Sequence, residues 1–166
     1  MRFPLVAAAM LCAAGAPASA PCPESAGETI LTIGGRIGCE SASGVATFDR
    51  AALAALGPVT IRTSTMWTEG VHSFTGVPLA RLLDAVAAEG PAIRARAINE
   101  YAIEIPRADW LEGGPIVAYL TDGEPMTLRD KGPLWIVYPW DDRPAYKNEA
   151  TYARSIWQLD RIEMLD

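Results

Sequence analysis

The feature that most constrains this chain is its punctuation. Gly34-Gly35, Gly57-Pro58, Gly90-Pro91, Pro106 and Pro139 cut it into short runs, each ending where helix or ladder hydrogen bonding has to stop. Thr29 to Ile33 is β-rich and leaves through Gly34-Gly35. Val59, Ile61 and Thr63 alternate as a strand, as do Tyr101, Ile103 and Ile105 up to Pro106. Ile116 to Leu120 leads into Thr121-Asp122-Gly123-Glu124, with Asp-Gly in the positive-φ places of a hairpin turn. Leu134 to Tyr138 is a nearly continuous apolar strand. Two runs have helical spacing instead. Asp49 caps Arg50 to Leu56, and Pro78 sits in the first turn of a helix from about Val77 to Ala88, with Leu79, Leu82, Leu83 and Val86 as its buried stripe. Ile156 to Leu165 reads as a last strand, although its spacing also admits a helix. The expectation is an α+β fold, mostly mixed β-sheet with two main helices. No repeat or linker interrupts it, so residues 19–166 form one domain.

The chain has 166 residues, half of them apolar and a fifth charged, which suits a packed core. A formal charge of −6 argues against nucleic acid and against an anionic membrane surface, since both need a basic footprint. The sequence has no Gly-rich phosphate loop, no GxSxG elbow and no HExxH or paired CxxC. His72 is the single histidine; it reads as a polar loop residue, and no spacing rule joins it to Ser64 or Ser73 as a relay. Asp141-Asp142 reads as a pair of solvated turn residues. No residue is assigned a catalytic role.

The first residues read as a targeting segment. Arg2 precedes the uncharged apolar run Leu5 to Ala14, and Ala16-Pro17-Ala18 offers a signal-peptidase site, so 1–18 is expected to be removed. A retained membrane anchor is the alternative, but the run is well short of the roughly 20 residues a span needs. Cys12 follows Met10-Leu11 rather than the small residues of a lipoprotein signal. The mature protein is therefore expected in the periplasm, without membrane insertion. Removing the leader leaves Cys22 and Cys39, which could close a loop worth about 3 kcal/mol in an oxidising compartment. Two free thiols are the other reading.

Aromatic and polar groups concentrate in the expected loops. Trp67 lies in a Thr-rich stretch, Asn99 and Tyr101 open one strand, and Trp140 and Arg143 follow the end of another, with Arg154 and Ser155 beyond. A flat, nitrogen-rich heterocycle wants aromatic faces for stacking and a few fixed donors and acceptors. Against that, Trp67 and Trp140 could simply plug the ends of the sheet.

Five pieces in register resemble one family. They are Phe74-Thr75-Gly76-Val77-Pro78-Leu79 with Leu82-Leu83; Tyr101 to Pro106; Ala118-Tyr119 with Asp122 to Met126; Gly132-Pro133-Leu134 with Val137-Tyr138-Pro139; and Ala153-Arg154-Ser155-Ile156-Trp157. Together these resemble the sulfite-oxidase-type molybdopterin-binding domain over roughly residues 59–162. The resemblance implies that family's mixed α+β fold and makes Tyr101, Arg154 and Ser155 pocket residues. Trp67, Asn99, Trp140 and Arg143 are added from their chemistry: stacking for the tryptophans, edge hydrogen bonds for Asn99 and Tyr101, an anchor for ligand oxygens at Arg154 and Ser155.

The departures from the family are chemical. The position of its molybdenum-binding cysteine falls here at Thr63 or Ser64, no Cys follows Cys39, and the strand arginine of its "PLR" motif is Trp135. The leader also lacks the twin arginine that exports folded, cofactor-loaded cargo, so any ligand would be met outside the cytoplasm. The expectation is thus a pterin site without molybdenum, similar to small periplasmic pterin-binding sensors that signal to a membrane receptor controlling cyclic-di-GMP. A molybdopterin-dependent oxidoreductase and a ligand-free periplasmic interaction protein are the alternatives.

Overall fold

The computed structural model describes residues 19–111 and 113–166. The expected signal peptide, 1–18, lies outside them. Among the described residues ten strands form two sheets. The first runs β2-β1-β10-β5-β6, from β1 (Leu31–Gly35), β2 (Ala46–Phe48), β5 (Ala92–Ala97), β6 (Ala102–Pro106) and β10 (Leu159–Met164). β1 and β10 pair in parallel, Thr32 opposite Arg161, so the two ends of the domain lie side by side. The second sheet runs β3-β4-β7-β8, with β9 also on β7; its strands are β3 (Val59–Ser64), β4 (Val71–Pro78), β7 (Ile116–Thr121), β8 (Glu124–Pro125) and β9 (Trp135–Val137). Leu31, Ile33, Phe48, Phe74, Ile93 and Ile105 from the strands, with Leu79 and Leu82 from the helix after β4, fill the core at 0–1% exposure. Among the described residues no helix is long and apolar enough to cross a membrane.

Among the described residues three short α-helices accompany the sheets, not two. α1 (Arg50–Ala55) starts where Asp49 accepts the Ala52 N–H at 2.7 Å, as its capping sequence predicts. α2 (Leu79–Asp84) is shorter than the expected run from Val77 to Ala88. The cause is the neighbouring strand: β4 stays paired to β7 through Val77 and Pro78, so Pro78 stands as an extended cap and not inside the first turn. Ala87, at φ 48°, then ends the following turn. The expected stripe of Leu79, Leu82, Leu83 and Val86 is nonetheless buried. α3 (Glu149–Arg154) falls in a stretch that reads as loop. It is held by Asn148, whose side chain accepts the Thr151 N–H at 3.1 Å, and its buried residue is a threonine, so no apolar stripe announces it.

Two close approaches explain motif residues. Gly76 lies where β4 bulges against β7, and a Cβ there would overlap the Val117 carbonyl, so only glycine fits. Asp122 and Gly123 take φ of 51° and 86° in the β7–β8 turn, as expected of an Asp-Gly hairpin. Cys22 and Cys39 are joined in a disulfide, Cα atoms 4.8 Å apart. His72 is not a loop residue: it lies on β4, with Nδ1 2.6 Å from Asp122 Oδ2 and Nε2 2.9 Å from the Glu69 carbonyl.

Candidate functional site

The turn after β3 throws one large side chain inward. Thr65 and Thr68 share a 2.8 Å hydrogen bond, and the Thr65 hydroxyl accepts the Trp67 N–H at 3.1 Å, which shapes the turn and aims the indole. The Trp67 ring lies 5.3 Å from Trp157, 5.9 Å from Trp135, 6.0 Å from Trp140 and 6.1 Å from Tyr152, in edge-on or tilted contacts. Such contacts add to burial because ring edges meet ring faces. Trp67 is therefore both the hub of an aromatic cluster and one wall of a cleft of about 340 Å³, within the size range of small-molecule sites.

That cleft lies between the Trp67 turn, the β5–β6 connection and the end of α3, and it is lined by Trp67, Asn99, Tyr101, Tyr152, Ser155 and Trp157 together with Ala97, Ala153 and Ile156. Among the described residues no charged side chain lines it. The Asn99 side-chain oxygen accepts the Tyr101 N–H at 3.1 Å, which leaves its amide NH2 group for a guest. Tyr101 stands half exposed at the mouth. Ser155 is already engaged, donating to the Ile136 carbonyl at 2.7 Å and accepting from Trp135 Nε1 at 2.9 Å. It ties the cleft to β9 more than it offers a hydroxyl.

The seven expected pocket residues thus separate. Trp67, Asn99, Tyr101 and Ser155 come together in this cleft. Trp140 is 1% exposed, packed behind it against Trp67, Tyr152 and Tyr138. Arg143 lines a different, larger cleft of about 510 Å³ with Arg81, Asp84, Trp110 and Leu111. Arg154 lines neither; its Nη1 donates to Asp109 Oδ2 at 3.1 Å. Tyr152 and Trp157 complete the aromatic walls although sequence reasoning did not select them. The signal available for them was their place around Arg154-Ser155, each two residues outside that pair. Asp109 gave no signal, because its partners Tyr138 and Arg154 are 29 and 45 residues away in sequence.

The place where the resemblance puts a metal-binding thiolate is closed by a carboxylate. Thr63 is fully buried; its hydroxyl donates to the Ser64 carbonyl at 3.1 Å and accepts the Asp141 N–H at 3.2 Å. Ser64 donates to Asp141 through its N–H at 2.6 Å and its hydroxyl at 2.9 Å. Lys147 Nζ adds a further bond at 2.9 Å. Asp141 is the exposed turn residue the sequence suggests, and in that place it also latches Ser64 and Lys147. Lys147 above all, then Ser64, holds its carboxyl down at about 2. Two engaged hydroxyls, in a chain with no cysteine after Cys39, do not fit a thiolate-held molybdenum.

The two sheets, three helices and aromatic cleft define a mixed α+β domain. The same fold occurs in the sulfane dehydrogenase SoxCD from Paracoccus pantotrophus, with a TM-score of 0.60 and 17% identity over 82% of this chain. This chain spans 38% of the length of that one, and at such identity the likeness is one of fold. No protein-family model and no curated protein matches the chain.

Proposed function

We propose that this is an exported pterin-binding protein of the periplasm, whose liganded form reports to the periplasmic domain of a membrane receptor of the cyclic-di-GMP kind. The observation that supports the binding step is the cleft itself. Indole and phenol rings from Trp67, Tyr101, Tyr152 and Trp157 stand around it, with the free amide NH2 of Asn99 beside them. A flat bicyclic ring gains from stacking on such walls, and an edge donor fixes its orientation. The disulfide suits an oxidising compartment. The ring would be met after export, since a leader with Arg2 alone sends an unfolded chain across the membrane.

The test is a titration of the mature protein with oxidised and reduced pterins, followed by quenching of tryptophan fluorescence. Saturable quenching is expected, and Trp67→Ala should remove it while far-UV circular dichroism stays the same. Equal affinity in the wild type and the variant would place any binding elsewhere. A second reading, an oxidoreductase holding a molybdopterin, draws support from the fold shared with a dehydrogenase. Molybdenum near one atom per chain in purified protein would favour it. No bound fluorophore and no pterin affinity would favour a ligand-free interaction protein.

A further inference from the structure

The expected role for Arg154 is an anchor for ligand oxygens, yet it does not line the cleft and its guanidinium is turned to Asp109. Nη1 lies 3.1 Å and 3.4 Å from the two oxygens of Asp109, whose side chain is only 12% exposed. The same carboxylate accepts the Tyr138 hydroxyl at 2.9 Å, and Tyr138 is fully buried. The Asp109 backbone carbonyl accepts the Tyr146 hydroxyl at 3.2 Å. Asp109 belongs to the 3₁₀ turn Arg107–Trp110, so the ion pair ties α3 to that turn. One residue further on, Ser155 ties the same helix end to β9 through Ile136 and Trp135. The helix end is therefore clamped on two sides, and Tyr152, Ala153 and Ser155 form the cleft wall beside the clamps.

We infer that Arg154 is a positioning residue of the aromatic cleft, acting through Asp109 to hold the α3 wall and making no contact with the guest. The inference rests on the proposed pterin site for its binding readout but not for its structural one. A buried carboxylate deprived of its cation is poorly satisfied by a phenol alone, so its neighbours move and the wall moves with them. Because the guanidinium is engaged there, the cleft keeps its uncharged lining.

A double-mutant cycle on the full mature chain separates this from direct contact, using Asp109→Asn, Arg154→Gln, the double variant, and Arg154→Lys as the milder change should the glutamine variant not fold. The ligand probe is biopterin. Positioning through the pair predicts that each single variant weakens biopterin binding about tenfold, and that the double variant is no worse than either, since the two changes disrupt one interaction. Arg154→Lys should recover most of the affinity by keeping a cation on Asp109. Direct contact predicts the opposite asymmetry: Asp109→Asn frees the guanidinium and leaves affinity unchanged or higher, which would overturn the inference. Near-UV circular dichroism of the ligand-free variants decides independently. The same altered aromatic spectrum in both singles and the double supports positioning, and wild-type spectra in all of them refute it. Failure of the wild type to bind biopterin would count against the pterin site alone, and the spectra would still decide the role of Arg154.

Discussion

The two sheets concentrate different chemistry, one at its surface and the other in its interior. On the first, Arg94 pairs with Glu104 at 3.0 Å and Glu163 at 3.3 Å, Arg96 with Glu100 at 2.7 Å, and Arg161 with Glu100 at 3.6 Å. Acids and bases alternate across β5, β6 and β10 and cancel on a solvated face. The second sheet gathers Phe74, Trp135, Trp67, Trp140 and Trp157 around the end of β3 and β9. Exposed ion pairs are worth little each because water screens them, whereas packed rings bury large areas and resist displacement. The comparison teaches that the ion pairs of the charged face add little to stability, and that stability and the candidate site share one aromatic cluster.

Variants can break or sharpen that contrast. The largest effect is expected at Trp135, 1% exposed and in contact with Phe74, Trp67 and Trp157. Trp135→Ala should cost about 3–5 kcal/mol in urea unfolding, by cavity formation and the loss of its bonds to Ser155. Replacing Cys22 and Cys39 together by alanine should cost about 3 kcal/mol, by freeing the 17-residue span of the unfolded chain. Asn148→Ala removes the cap of α3 and should cost about 1 kcal/mol, seen as a lower urea midpoint at unchanged slope. Arg94→Ala on the charged sheet should stay within about 0.5 kcal/mol of wild type despite losing two ion pairs. A loss as large as that at Trp135 would end the contrast between the sheets.

The smallest expected effects are those of pH, and their signs differ by site. Asp141 is depressed from 3.8 to about 2 by Lys147 and Ser64, so its contribution is present above pH 3.8 and fades as pH falls through 2. His72 is raised above 6.5, chiefly by its hydrogen bond to Asp122. Its contribution is complete below pH 6.5 and fades as pH climbs past the raised value. Urea midpoints across pH should show both slopes in wild type, with the acid one flattened in Asp141→Asn and the neutral one in His72→Gln.

Much of the fold is legible in local signals: the alternation of β3 and β6, the apolar run of β7 into its Asp-Gly turn, the Asp49 cap and the cysteine pair. β2, β4 and β5 were not read as strands, because β2 is three residues long and β5 carries Arg94 and Arg96 on its solvent face between small alanines. Part of β4 reads as the start of a helix, since Pro78 suits either role. In the cleft, Trp67 and Asn99 are legible because aromatic and amide side chains in loops suggest a stacked guest, and Tyr101 and Ser155 through the family resemblance. Nothing local distinguished them from Trp140, Arg143 and Arg154.

The sequence alone determined what depends on neighbours along the chain: where strands and helices must break, which residues are apolar by turns, and that no thiol remains after Cys39 to hold a metal. Tertiary structure decided that the Arg154 guanidinium turns to Asp109, that Asp141 closes the Thr63–Ser64 place, and which rings meet Trp67. Those outcomes rest on partners tens of residues apart, and the energy of such a contact exists only once sheet and helix have brought both ends together.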